Sequence, residues 1–214
     1  MTGYDLTSTA APRRRGRPPL PHEAAATHQR LMRAGLIFLT EQGYSATALD
    51  DILRAAEVTK GSFYHYFDGK AAFAHALIDA YHAHFAARLD RHLGDAALPP
   101  LARLHGFTRD AESRMARHDF RRGCLIGNLG QEVTTLPDPF RARLISVLTA
   151  WQDRTALCLF AAQKTGEIAP DHDPAALAEF FWTGWEGAVL RAKLDRSALP
   201  LQAFSRQFFL LISP

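Results

Sequence analysis

The chain has 214 residues, 47% hydrophobic and 22% charged, the balance of a protein that buries a core in water. Its longest apolar runs, such as Ala34–Leu39 and Phe208–Ile212, fall far short of the ~20 residues of a bilayer span. With two cysteines, Cys124 and Cys158, and no leader-like apolar stretch at the start, a disulfide-stapled secreted module is excluded and a reducing cytoplasm is the expected setting.

The composition favours helices: four valines and seven isoleucines stand against 36 alanines. Residues 1–21 form an arm of small polar residues, four prolines and four arginines, expected to be disordered alone. Those arginines, Arg13, Arg14, Arg15 and Arg17, have no acid among them, while the rest of the chain is nearly balanced at 21 basic and 22 acidic residues. Such an arm points to a polyanionic partner. Helix one is predicted at about 22–42, ending at Gly43. Helix two, about 47–56, opens with Thr47 as a cap and Asp50 three residues on, a weaker relative of the capping box. Helix three starts after Thr59, and helix four fills about 69–93, where Phe73, Leu77, Tyr81, Phe85 and Leu89 repeat every four residues. Later helices are predicted at about 101–118, 121–134, 138–165, 174–195 and 200–212, bounded mainly by Pro137, Pro139, Pro170, Pro174 and Pro200. No segment alternates with period two. The expected fold is all-helical, with about nine helices: an arm at 1–21, a DNA-binding unit at 22–68, and a helical effector-binding and dimerisation unit at 69–214.

Two short helices joined by a tight turn make a helix-turn-helix, whose second member can enter a major groove. In Val58–Phe67, Thr59 caps the helix, Lys60 is a cation beside it, and Gly61 permits close approach. Ser62, Tyr64 and His65 offer hydrogen bonds to phosphates or base edges, whereas Phe63 and Phe67 fall on the opposite, core-directed side. Gly43-Tyr44, Thr47, Ile52, Ala55-Ala56, Val58, the run Lys60–Phe67 and Lys70 together resemble the N-terminal domain of the TetR family of bacterial repressors. That resemblance implies double-stranded operator DNA as partner and Thr47, Thr59, Lys60, Gly61, Ser62, Tyr64, His65 and Lys70 as contacts. Arg15-Gly16-Arg17-Pro18 resembles an AT-hook core, which would carry the arm's arginines into a neighbouring minor groove.

A reader of this kind needs a switch, and the most unusual stretch is Arg121–Glu132. As a helix it aligns Cys124, Asn128 and Gln131 on one face, a thiol and two amides suited to the polar wall of a small cavity. The alternative is that Cys124 packs as a small core residue. Gly123-Cys124-Leu125, Glu132-Val133 and Arg191-Ala192-Lys193 resemble a TetR branch that senses reactive electrophiles and small unsaturated acids, including repressors of acrylate utilisation. In that branch Cys124 aligns with a sensing cysteine and Lys193 with a late lysine. Arg121, Arg122 or Lys193 would lower the thiol pKa, and an arginine could pair with a ligand carboxylate. Trp182, Trp185 and Glu186 either line the same cavity or serve packing, and Gly184, Gly187 and Ala188 permit close helix approach. In the family this late helix and the next form a four-helix bundle with a second copy. That implies a homodimer on a near-palindrome.

No H-E-x-x-H, G-x-S-x-G, C-x-x-C or dinucleotide motif is present, and His82 and His84 point to different helix faces. An enzyme is not expected, nor a catalytic residue, metal, cofactor or membrane partner. The expected function is a DNA-binding repressor released by a small effector, acrylate or a related electrophile, or by a non-covalent apolar or carboxylate ligand.

Overall fold

The computed structural model describes residues 22–213, which form nine α-helices and no strand. They are α1 (His22–Glu41), α2 (Leu49–Ala56), α3 (Lys60–Tyr66), α4 (Lys70–Leu93), α5 (Pro100–Ala116), α6 (Leu125–Gln131), α7 (Pro139–Lys164), α8 (Pro174–Asp195) and α9 (Leu199–Ile212). Prolines in the first turn start α5, α7, α8 and α9, where a missing N–H costs nothing. Thr59 caps α3 by accepting from the Ser62 N–H, and Asp173 caps α8 by accepting from Ala175. Gly43 turns the chain after α1 at φ 88°, a conformation that disfavours any side chain.

Two helices differ from expectation. Thr47 does not cap α2; its hydroxyl turns back to donate to the Gly43 carbonyl at 2.6 Å, and Ala48 takes the cap position. The helix expected at 121–134 is only Leu125–Gln131. Asp119 and Phe120 adopt left-handed backbone angles and reverse the chain after α5, so Cys124 stands at the extended cap of α6 rather than inside it.

Helices α1–α3 close over Leu31, Ile52 and Phe63, and the ring of Phe73 on α4 packs on Phe63 and Phe67 at 5.5 and 4.8 Å. Gly35 lets α1 press against Phe73 and Leu77. Beyond Phe73 the same core continues along α4 between α7 and α8, where Trp151 and Trp182 stand 5.1 Å apart and Phe85 lies 4.1 Å from Trp151. Both indoles are satisfied, Trp182 donating to Thr155 and Trp151 to His82. On α7, Leu144, Trp151, Thr155, Cys158, Leu159 and Ala162 are buried and Leu148 on the same stripe is half-buried, with the Cys158 thiol donating to the Pro100 carbonyl. Gly184 serves contact within the chain, since Phe204 of α9 lies directly over it, while Gly187 faces open space.

Candidate nucleic-acid interface and effector cavity

Seven residues are enough for α3 to separate two faces. Phe63 is fully buried, whereas Thr59, Lys60, Gly61, Ser62, Tyr64 and His65 are all exposed, Tyr64 by 53%. Lys60 stands 3.7 Å from Asp50, but both side chains are well solvated, so the pairing is weak and the ammonium stays available. A Cβ on Gly61 would meet nothing within 4 Å, which leaves the backbone there open to approach. Tyr66 points the other way and donates to the Ala24 carbonyl, fastening α3 to α1.

Two of the expected contacts lie elsewhere. Thr47 is 1% exposed and bonded to Gly43, so it offers nothing to a duplex. Lys70 donates to the Tyr44 carbonyl at 2.6 Å and lies over the Tyr44 ring, and burial lowers its pKa. It braces the α1–α2 turn instead of reaching outward. Arg13, Arg14, Arg15 and Arg17 lie outside the described residues.

A cavity of about 130 Å³ lies where α4, α5, α8 and the approach to α6 meet, with Tyr81, Phe85, Arg88, Cys124, Trp185 and Glu186 among its walls. A larger cleft of about 410 Å³ between α5 and α9 shares only Trp185 with the expected set. Of that set, Cys124, Trp185 and Glu186 meet at the smaller cavity. Arg121 and Gln131 are exposed away from it, because α6 starts too late to align Gln131 with Cys124. Trp182 is core. Asn128 and Lys193 turn toward α1: the Asn128 amide donates to the Leu39 and Thr40 carbonyls at 3.1 and 2.7 Å, and Lys193 donates to Thr40 O and Asn128 Oδ1, both at 3.1 Å.

The thiol is not activated as expected. Burial, followed by the Glu186 charge, pushes the Cys124 pKa well up, so it rests as a protonated thiol. Lys193 is spent on α1, and Arg122 pairs with Glu41 at 2.8 Å. Burial likewise raises Glu186 to about 7, partly offset by its hydrogen bond with Cys124. Tyr81 is raised by burial first and then by Cys124 and Glu186.

The far end of α6 grips the turn between α1 and α2. Glu132 accepts from the Tyr44 N–H at 2.8 Å and the Ser45 N–H at 2.7 Å, and its carboxylate lies so close over Gly43 that a Cβ there would collide. The end of α1 and its turn are thus held by Arg122, Asn128, Glu132 and Lys193, all from the cavity half of the molecule.

Residues 31–77 match the family described as bacterial regulatory proteins, tetR family, and residues 100–208 match a tetracyclin repressor-like C-terminal domain. The chain belongs to the TetR family. It is 60% identical to the transcriptional regulator AcuR of Cereibacter sphaeroides over 91% of this chain and 89% of that protein. It is 34% identical to the HTH-type transcriptional repressor DhaR of Mycobacterium sp. (strain GP1) over 87% of this chain and 92% of that protein. The crystal structure of a regulatory protein TetR from Rhodobacter sphaeroides superposes with a TM-score of 0.86 at 60% identity, covering 87% of this chain and 98% of that one.

This TetR-family member is a transcriptional repressor by kinship and fold, not an enzyme. No helix among its described residues is long and apolar enough to cross a membrane. Sequence reasoning overlooked Tyr81 and Arg88 as cavity groups. The signal was present, because Tyr81, Phe85 and Arg88 fall at i, i+4 and i+7 on the apolar face of α4, where an arginine is out of place.

Proposed function

We propose that the protein acts as a homodimer on a near-palindromic operator and releases it when a small unsaturated acid such as acrylate enters the cavity beside Cys124. One observation carries this reading: Cys124 stands at the N-cap position of the same short helix whose other end, through Glu132, holds the turn between α1 and α2. Occupying the cavity would move one end of a seven-residue lever whose other end grips the reading head. Long helix α4, running from Phe73 to the cavity, is a parallel route. Release requires the ligand to prefer the arrangement that does not fit the operator, since equal affinity shifts nothing. The 60% identity with AcuR supports a related effector.

The exposed face of Thr59–His65 would enter the major groove, and the arm at 1–21 would reach a neighbouring minor groove. Dimerisation is supported by an exposed stripe on α8, Phe180, Thr183, Gly187, Leu190 and Leu194, continued by Leu210 and Leu211 on α9. The protonated thiol favours reversible occupation over covalent capture. Intact-mass measurement after exposure to acrylate should find Cys124 unmodified while the operator complex still dissociates. Gel shifts on the region upstream of the protein's own gene should show a complex that acrylate disperses. Lys60→Ala should weaken that complex on any sequence and lower its salt slope by about one. A complex insensitive to acrylate would overturn the effector; one insensitive to Lys60→Ala would overturn the reading face.

A further inference from the structure

The effector reading leaves one buried group idle. Arg88, on α4, is 9% exposed, and among the described residues its Nε makes no hydrogen bond. Asp110 stands 3.7 Å from it, near enough for attraction but too far for a hydrogen bond. That carboxylate is already engaged, since its Oδ2 accepts from Arg114 Nε at 2.9 Å and lies 3.4 Å from His92 Nε2. One acid therefore serves three bases. A buried donor without an acceptor is destabilising, and folded proteins keep few of them. Arg88 does not wander, because its guanidinium is seated over the rings of Phe85 and Phe107 at 4.6 and 5.8 Å. It is a pre-positioned cation on the wall that it shares with Cys124.

The lining of the cavity limits what can answer it. The cavity, about 130 Å³, adjoins a second one of about 410 Å³ that shares Tyr81, His118, Arg122 and Gly123 with it and extends to Thr40 on α1. Arg114, His118 and Arg122 also line the smaller cavity, and among the described residues Glu186 is the single acid doing so. Glu186 holds its proton up to about 7, so near neutrality much of it can donate to an incoming anion instead of repelling it. Phe85, Met115, Trp185 and Val189 supply an apolar side.

We propose that Arg88 anchors the carboxylate of a small organic acid, whose carbon end lies along the apolar side toward Cys124. The proposal rests on the effector reading above and adds the group that recognises charge. A guanidinium fork matches a carboxylate in shape as well as sign. Recognition would then follow the carboxylate and not the double bond.

Calorimetry on the full chain with acrylate, propionate and acrylamide tests this directly. Both acids should bind, and the uncharged amide should bind at least about tenfold more weakly. Arg88→Met should lose the acids by a similar factor, with its fold checked by circular dichroism, and Arg88→Lys, which keeps the charge without the fork, should recover part of the loss. Acrylamide binding wild type as tightly as acrylate would overturn the proposal, as would unchanged acid binding by Arg88→Met. Operator release separates this proposal from the reading beneath it. If acrylate binds through Arg88 yet leaves the operator complex intact, the effector reading falls and the anion site stands. If acrylate disperses wild-type and Arg88→Met complexes at the same concentration, the effector reading stands and the anion site falls. If neither acid binds wild type, both fall.

Discussion

Glu186 lies over Gly127 and beside the Cys124 thiol, where burial opposes the charge its carboxyl would carry in water. Raised from its ordinary 4.5 to about 7, it keeps a proton when folded over a range where the unfolded chain has lost one. Its contribution to stability is therefore full below 4.5 and declines as pH rises to about 7, the reverse of a salt-bridged carboxylate. Glu186→Gln should melt above wild type at pH values beyond 7, and that advantage should shrink as pH falls toward 4.5. Thermal melts across the range check the sign; a constant difference would mean that Glu186 does not titrate there. At this scale the two faces of α3 were legible, because helical spacing alone separates buried Phe63 from exposed Lys60, Ser62, Tyr64 and His65. Thr47 and Lys70 were not, since both answer to backbone groups of the turn at 43–44. A polar side chain's choice between solvent, ligand and a nearby carbonyl is settled by tertiary geometry.

Helix α6 is too short to be stable alone, and it is held between α1 and α7 by side chains at both ends. Glu132→Ala removes a charge-assisted acceptor from two backbone N–H groups and should cost about 1–3 kcal/mol, read in denaturant unfolding. The same variant should leave operator binding less responsive to effector, because the lever loses its grip on the turn; an unaltered response would assign coupling to α4. The existence of this helix could be read from its apolar period, but its length could not. Chain reversal at Asp119 and Phe120 uses left-handed angles at residues that carry side chains, with no glycine there to announce it. Helices opened by proline were placed within a residue or two for the opposite reason, since a ring that cannot donate marks the boundary locally.

Across the whole molecule, α8 presents two different edges. Gly184 is filled by Phe204 of the same chain, whereas Gly187 opens onto an exposed apolar stripe. Gly187→Arg should therefore leave the subunit folded, arginine being the better helix former, while sedimentation shows a monomer and operator binding is lost. A dimer that persists would move the seam elsewhere. All-helical architecture was legible in the shortage of β-branched residues, and the buried face of α4 in its four-residue repeat. The join between α6 and the α1–α2 turn was not, because it depends on pairs such as Glu132 with Tyr44, 88 residues apart.

That join bears on how such regulators can be recombined. Gly43 and Glu132 are two halves of one fitting: the first leaves the space, the second fills it. A hybrid that takes its reading head from one relative and its sensing half from another would splice cleanly only when both halves of the fitting travel with their partners. Grafting by sequence boundary alone would assemble a chain whose two modules fold but no longer converse.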